Sequence, residues 1–211
     1  MKILHTLLAI LTLSTLSFGQ TGPQTILDKL SKKMKSHNSF YVEFSANTKN
    51  KATGTNLTET GKGWVKGDKF HASMGEIAVL SNGMKTWTVI KEEKSVYESD
   101  SDEDEDIMNP RKLMTIWEDG FKNKMGKETT INEEKVNVIF LYPKNPSDVE
   151  YHTIILYISK TKGELRKVII KTKDGTAMTY NLKKYTPNPT ISDSKFVFDK
   201  KKYPGYTVIK D

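Results

Sequence analysis

Apolar positions change period along this chain, and the changes mark its elements. In PQTILDKLSKKMKS, Ile26, Leu27, Leu30 and Met34 form one stripe while lysines 29, 32, 33 and 35 lie elsewhere, and Pro23 stands at the first turn. That spacing predicts an amphipathic helix. From Phe40 the period becomes two: Phe40, Val42, Phe44 and Ala46 point one way, Tyr41, Glu43 and Ser45 the other. Further strand-like runs follow, separated at Gly67-Asp68, Asn82-Gly83, Lys162-Gly163 and Asp174-Gly175. Such pairs favour tight reversals between antiparallel strands, so neighbours in sequence are expected to be neighbours in a meander. Within AVLSNGMKTWTVIKEEKSVYE, residues 78–98, Asn82-Gly83 divides two amphipathic strands and Trp87 marks one face.

The late strands alternate most clearly, with Val168 and Ile170 against Lys167 and Lys171, and Met178, Tyr180 and Leu182 against Thr179, Asn181 and Lys183. In YHTIILYIS, residues 151–159, both faces are apolar, which fits a strand covered on both sides. One segment interrupts the meander. In NPRKLMTIWEDGF, residues 109–121, Asn109 can cap, Pro110 can take the first helical position, Leu113, Met114, Ile116 and Trp117 give an apolar side, and Gly120 can end the helix. The expected architecture is a long antiparallel sheet, mainly β with α, preceded by one helix and carrying a second midway. An open sheet of about ten strands has to curl strongly.

The first nineteen residues read as a secretory signal peptide: Lys2, an apolar run from Ile3 to Leu16, then Ser17 and Gly19 before a cut ahead of Gln20. The run, broken by His5, Thr6 and Thr12, is short for a bilayer core of about 30 Å. The expected division is 1–19 signal peptide and 20–211 a single exported domain. Nothing downstream approaches the roughly 18 apolar residues of a membrane span. The sequence has no cysteine, which excludes thiol nucleophiles, thiolate zinc sites and a lipid anchor on cysteine. A domain of this size can hold its core without disulfides.

The formal charge is +7, and it conceals an asymmetry, because ESDSDEDED, residues 98–106, carries seven acids and no base. A basic body suits an anionic membrane surface or nucleic acid, but export and the lack of a recognised binding module argue against nucleic acid. The alternating aspartates at 100, 102, 104 and 106 fail as a calcium loop, since the sixth and twelfth places hold Glu105 and Arg111. A solvated acidic loop is the expectation, with docking to a basic partner as its functional counterpart. His37, His71 and His152 have no metal spacing; Gly61-Lys62-Gly63 is followed by Trp64 and is no phosphate loop, and no nucleophile elbow is present. Asn56-Leu57-Thr58 fits a glycosylation sequon, a match too short to carry weight. The lysines of the first helix fit a solvated face, or a surface for headgroups or a transporter. No cofactor, metal or catalytic residue is expected from these motifs, and an enzyme would need scattered carboxylates brought together by the fold alone.

The ordered set SFYVEFSA, GKGWVKGDKF, EIAVLSNGMKTWTV, NPRKLMTIWEDGF, KDGTAMTYNLKKY and SDSKFVFDKKKYPGYTVIKD resembles the LolA family of periplasmic outer-membrane lipoprotein carriers, from about Gln24 onward. The resemblance implies an unclosed, strongly curved antiparallel half-barrel with an apolar concave side and a helical lid. It also implies a periplasmic carrier that accepts triacylated lipoproteins from an inner-membrane ABC transporter and delivers them to the outer membrane, with or without a dedicated acceptor there. On that reading the acyl cavity is lined by Val42, Phe44, Trp64, Ile77, Val79, Trp87, Val89, Val138, Phe140, Met178, Tyr180 and Leu182. The lid comprises Ile26, Leu30 and Met34 of the first helix and Leu113, Ile116 and Trp117 of the inserted one. Each of these positions fits ordinary core equally well, because a half-barrel's lining is its core until a ligand enters.

One departure concerns the lid. Many members carry an arginine, linked to lid contacts, where Gly67 follows Trp64-Val65-Lys66 here. Gly67-Asp68 fits a simple turn instead. The alternative function is an envelope sensor or adaptor that binds lipid or polypeptide on the same sheet. A monomer is expected, since open sheet edges beside an apolar cavity must be kept from self-association.

Overall fold

The computed structural model describes residues 22–100, 110 and 114–210. A helix, α1 (Pro23–Lys35), precedes thirteen strands: β1 (Ser39–Asn50), β2 (Thr55–Lys66), β3 (Lys69–Met74), β4 (Ile77–Ser81), β5 (Lys85–Ile90), β6 (Ser95–Asp100), β7 (Phe121–Met125), β8 (Thr129–Ile131), β9 (Glu134–Pro143), β10 (Tyr151–Ser159), β11 (Leu165–Thr172), β12 (Thr176–Pro187) and β13 (Thr207–Lys210). All belong to one unclosed, curved sheet in the order β13-β6-β5-β4-β3-β2-β1-β12-β11-β10-β9-β7, with β8 beside β9. Adjacent pairs are antiparallel except β13 on β6, which is parallel. The four turn dipeptides lie where expected, between β2 and β3, β4 and β5, β10 and β11, and β11 and β12. Gly67 and Gly83 adopt φ of +57° and +87°, in the left-handed region that these reversals need.

Register assigns every strand residue to a face. Phe40, Val65 and Phe70 are aligned across β1, β2 and β3, and all three join a large apolar cluster on the concave side. The cluster also contains Leu27, Leu30 and Met34 of α1, so the buried stripe of the helix fills part of the trough. Polar bonds hold α1 there. Lys33 Nζ reaches Lys162 O at 2.8 Å and Glu164 at 3.0 Å, and Asn123 Nδ2 donates to Gln24 Oε1 at 2.6 Å. Arg166 in turn grips Glu134 at 2.6 Å and Glu164 at 3.0 Å.

The convex face is apolar in one region. Leu80, Trp87 and Val89 pack with Ala78 and Val96 under Phe198, Tyr203, Tyr206 and Val208 of the C-terminal segment. This overturns the expected position of Trp87 and Val89. Trp87 aligns with Leu80, His71, Trp64 and Tyr41 in a row on the convex side. β4 has apolar side chains on both faces because the lidded trough covers one and the C-terminal segment the other.

The inserted segment also departs from expectation. Met114 N–H bonds Pro110 O at 3.0 Å, but from Met114 to Gly120 the chain runs in turns, and Phe121 begins β7. The expected helix over 109–121 therefore does not extend through 114–120. Asn109 and Leu113, residues 101–106 of the acidic run, and the expected signal peptide lie outside the described residues. No helix among the described residues is long and apolar enough to cross a membrane.

Two measurements check this arrangement. Trp87→Ala should cost about 3–5 kcal/mol of stability, read in denaturant melts, because it leaves a cavity between sheet and C-terminal segment. The second concerns Glu134, whose carboxyl is held down from the usual 4.5 to about 2, chiefly by its bond from Arg166 and then by that from Ser159. A lowered folded-state value stabilises above the unfolded value and is lost as pH falls through the folded one. The melting-temperature gap between wild type and Arg166→Gln should therefore hold steady above pH 4.5 and shrink from there down to about pH 2.

Candidate functional site

The middle of the trough holds a partly covered apolar space of about 60 Å³. Its floor comes from three adjacent strands: Val42 and Phe44 of β1, Tyr180 and Leu182 of β12, and Leu165, Val168 and Ile170 of β11. Its roof comes from Pro110, Met114 and Ile116 of the inserted segment. No charged residue lines it among the described residues. The Tyr180 hydroxyl contributes a polar atom, reaching Met178 Sδ at 3.9 Å, and burial raises its pKa.

Local irregularities shape the floor. A bulge opposite Glu43 and Phe44 puts Lys183 and Lys184 where one residue would otherwise pair, so Tyr185 and Leu182 share the concave face although three positions apart. Phe44 then lies across Gly61 of β2, where a Cβ would collide with the ring. A Cβ at Gly63 would stand 3.1 Å from both Pro110 and Val42. These two glycines, which sequence reasoning considered only as a failed phosphate loop, create room for an aromatic ring and for the roof. Their signal was the period-two spacing of glycine on the apolar face of a strand.

The roof is fastened to α1. Trp117 Nε1 donates to Ser31 Oγ at 2.8 Å, and Lys35 pairs with Glu118 at 2.8 Å. The other carboxylate oxygen of Glu118 is buried without a partner among the described residues. Such an oxygen weakens the closed arrangement relative to one in which water reaches it. Gly67 has a positive φ in the β2–β3 turn and a backbone bond to Asn38 O at 3.1 Å, as a simple turn requires.

The expected lining residues separate into distinct positions. Val42, Phe44, Tyr180 and Leu182 surround the cavity, and Val79 lies in the concave core. Ile77 and Met178 are on the same face, Ile77 at the rim and 40% exposed. Trp64, Trp87 and Val89 are convex. Val138 and Phe140 are convex too, opposite Tyr157 and Ile155, whereas the adjacent Ile139 and Leu141 enter the concave core. The physical reason is the same throughout: one step along a strand reverses the face, and strands apolar on both faces give no parity signal. Leu165, Val168, Ile170 and Met114 were not on the expected lining, although Val168 and Ile170 had a clear alternation. Among the expected lid residues, Leu30, Met34 and Trp117 are buried, Ile26 and Ile116 partly so.

A curved open sheet with an apolar space beneath a fastened strap is a lidded half-barrel, a fold class whose interior is shaped by what covers it. Residues 30–199 match the family model described as outer membrane lipoprotein carrier protein LolA, and the chain belongs to this family. Among solved structures, an uncharacterized conserved protein from Thermus thermophilus superposes with a TM-score of 0.58 at 10% identity, covering 89% of this chain and 98% of its own. A LolA superfamily protein from Nitrosomonas europaea matches with a TM-score of 0.42 at 13% identity over 86% of this chain and 100% of its own. The Mycobacterium tuberculosis lipoprotein LppX matches at 0.43 and 11% identity over 80% and 98%. A comparison with curated protein sequences gave no match. Among the described residues no group of three or more histidines and carboxylates is arranged to hold a metal.

Gly61→Ala tests the geometry of the floor. It should push the Phe44 ring into the cavity and cost about 1–3 kcal/mol of stability in a denaturant melt.

Proposed function

We propose that this protein is a periplasmic carrier that shelters the acyl chains of lipoproteins between the inner and the outer membrane. The observation that supports it most is the apolar space closed by an apolar strap that is itself held by a few polar bonds. Burying an acyl chain of about fifteen methylenes gains on the order of 12 kcal/mol at roughly 0.8 kcal/mol per CH₂. That gain is ample to displace a strap fastened by Trp117–Ser31 and Lys35–Glu118. A space of about 60 Å³ is far too small for such a chain, so loading lifts Met114 and Ile116 and the chain takes their place on the floor. Delivery is the reverse: the strap's own apolar side chains compete for the floor and keep the departing cargo from leaving an open trough. Export by cleavage before Gln20 delivers a monomer to the periplasm, where an inner-membrane ABC transporter loads it and an outer-membrane acceptor or the membrane itself unloads it. None of this calls for catalysis, and the chain acts as a binding protein.

Incubation of purified mature protein with inner-membrane spheroplasts tests the reading. Wild type should release triacylated lipoproteins into the supernatant as stoichiometric complexes visible by native mass spectrometry. Leu182→Glu, which places a charge on the floor, should reduce release at least tenfold with its far-UV spectrum intact. Folded wild type that leaves the lipoproteins on the membrane would overturn the carrier role and favour an envelope sensor or adaptor with the same sheet.

A further inference from the structure

On the side of the sheet away from the acyl cavity, a groove of about 520 Å³ runs between β1, β2 and β12 and the segment from Pro189 to Lys202. Its wall is aromatic: Tyr41 and Trp64 are 5.0 Å apart between ring centres. Its charge is positive. Lys195 Nζ sits 3.6 Å from the centre of the Trp64 ring, Lys184 Nζ lies 5.8 Å from that of Tyr41, and Lys202 lines the same groove. Lys62 shares the convex side of β2 with Trp64, two residues away.

The position of Lys195 is built. Next to it Phe196 is fully buried, and Asp193 at the start of the same turn binds Lys66 at 2.7 Å and Lys69 at 2.8 Å. Burial holds His71 down at about 4, so at neutral pH its ring is uncharged and its Nδ1 donates to Lys195 O at 3.0 Å. The backbone is thus pinned on both sides of Lys195, and its ammonium projects over the indole. Carboxylates do not balance the cluster. Glu43, between Lys62 and Lys184 in register, accepts the Tyr41 hydroxyl at 2.6 Å, Asp199 lies 3.8 Å from Lys202, and Asp193 is turned to Lys66 and Lys69. Among the described residues Lys62, Lys184 and Lys195 have no salt bridge. Burial, then the charges of Lys202 and Lys62, lower the pKa of Lys195, so the cluster is at a disadvantage by itself.

We propose that this groove is an anion site for a phosphate group, with the lysines around the phosphate and the Trp64 and Tyr41 rings against the body that carries it. Several ammonium donors, with the hydroxyls of Thr190, Ser192 and Ser194 at the rim, outnumber the two oxygens of a carboxylate and suit the oxygens of a phosphate. Two sources supply this chemistry: a soluble phosphate compound, or the headgroup of an anionic phospholipid. The second suits a Trp-lysine surface, because indole rings favour the headgroup layer and lysines are drawn to anionic leaflets.

The test uses the mature chain with two probes, inorganic phosphate followed by calorimetry and phosphatidylglycerol–phosphatidylcholine vesicles followed by sedimentation. Saturable binding in the first arm identifies a site for soluble phosphate, and binding in the vesicle arm alone identifies the headgroup. In either case Lys195→Gln and Lys202→Gln should each weaken it about tenfold, while Lys171→Gln, an exposed convex lysine outside the groove, should leave it unchanged. Lys202 is exposed and belongs to a different turn from the buried Phe196, so its variant reports on the site even if Lys195→Gln is destabilised. Absence of binding in both arms, or equal weakening by the Lys171 and Lys202 variants, would overturn the proposal.

Discussion

Curvature without closure leaves an inner face that strand side chains cannot fill by themselves, and the remaining elements answer to that deficit. A closed barrel of few strands packs its interior with its own residues, whereas a trough must borrow apolar surface from outside the sheet. Here α1 supplies Leu27, Leu30 and Met34 over one region, and the strap from Pro110 to Trp117 supplies Met114, Ile116 and Trp117 over the middle. The two covers differ in how they are held. α1 has a continuous buried stripe and ties to β7 and to the β10–β11 turn, while the inserted segment runs in turns from Met114 to Gly120 and is bonded to α1 at Ser31 and Lys35. Under the carrier reading, the weaker cover is the one that exchanges places with cargo.

Polar and apolar interactions divide the work by position. The floor of the cavity is apolar apart from the Tyr180 hydroxyl, so under the carrier reading it offers an alkyl chain little directional bonding and no register. Direction comes from the rim, where Trp117, Ser31, Lys35 and Glu118 meet. The buried, unpartnered oxygen of Glu118 makes that fastening shallower than its bond lengths suggest. Under the carrier reading, a shallow fastening suits a protein that must both take and release its cargo.

The convex face has a separate logic. Beneath Phe198, Tyr203 and Tyr206 it is a second small core, and the C-terminal segment that closes it leads from β12 across the sheet to β13 at the far edge. That path sets Lys195 and Lys202 beside the aromatic row of β1 and β2, so the positive groove exists because the chain has to cross there to finish the sheet.

Much of this was legible in the residues themselves. The stripe of α1, the alternation of β1, β11 and β12 and the four turn dipeptides each encode local geometry, and each element formed where its pattern lies. The order of landmarks carried the family. Sequence did not carry which face of a two-sided strand looks inward, so Trp64, Trp87, Val89, Val138 and Phe140 were expected in the trough and lie outside it. Nor did it carry the role of Gly61 and Gly63, whose absent side chains matter through Phe44 and Pro110, residues distant in the chain. Period and turn chemistry are properties of neighbouring residues, and the sequence by itself determined them. Facing, covering and the convergence of Lys184, Lys195 and Lys202 are properties of strand register and of the path of the C-terminal segment, so only the tertiary structure decided them.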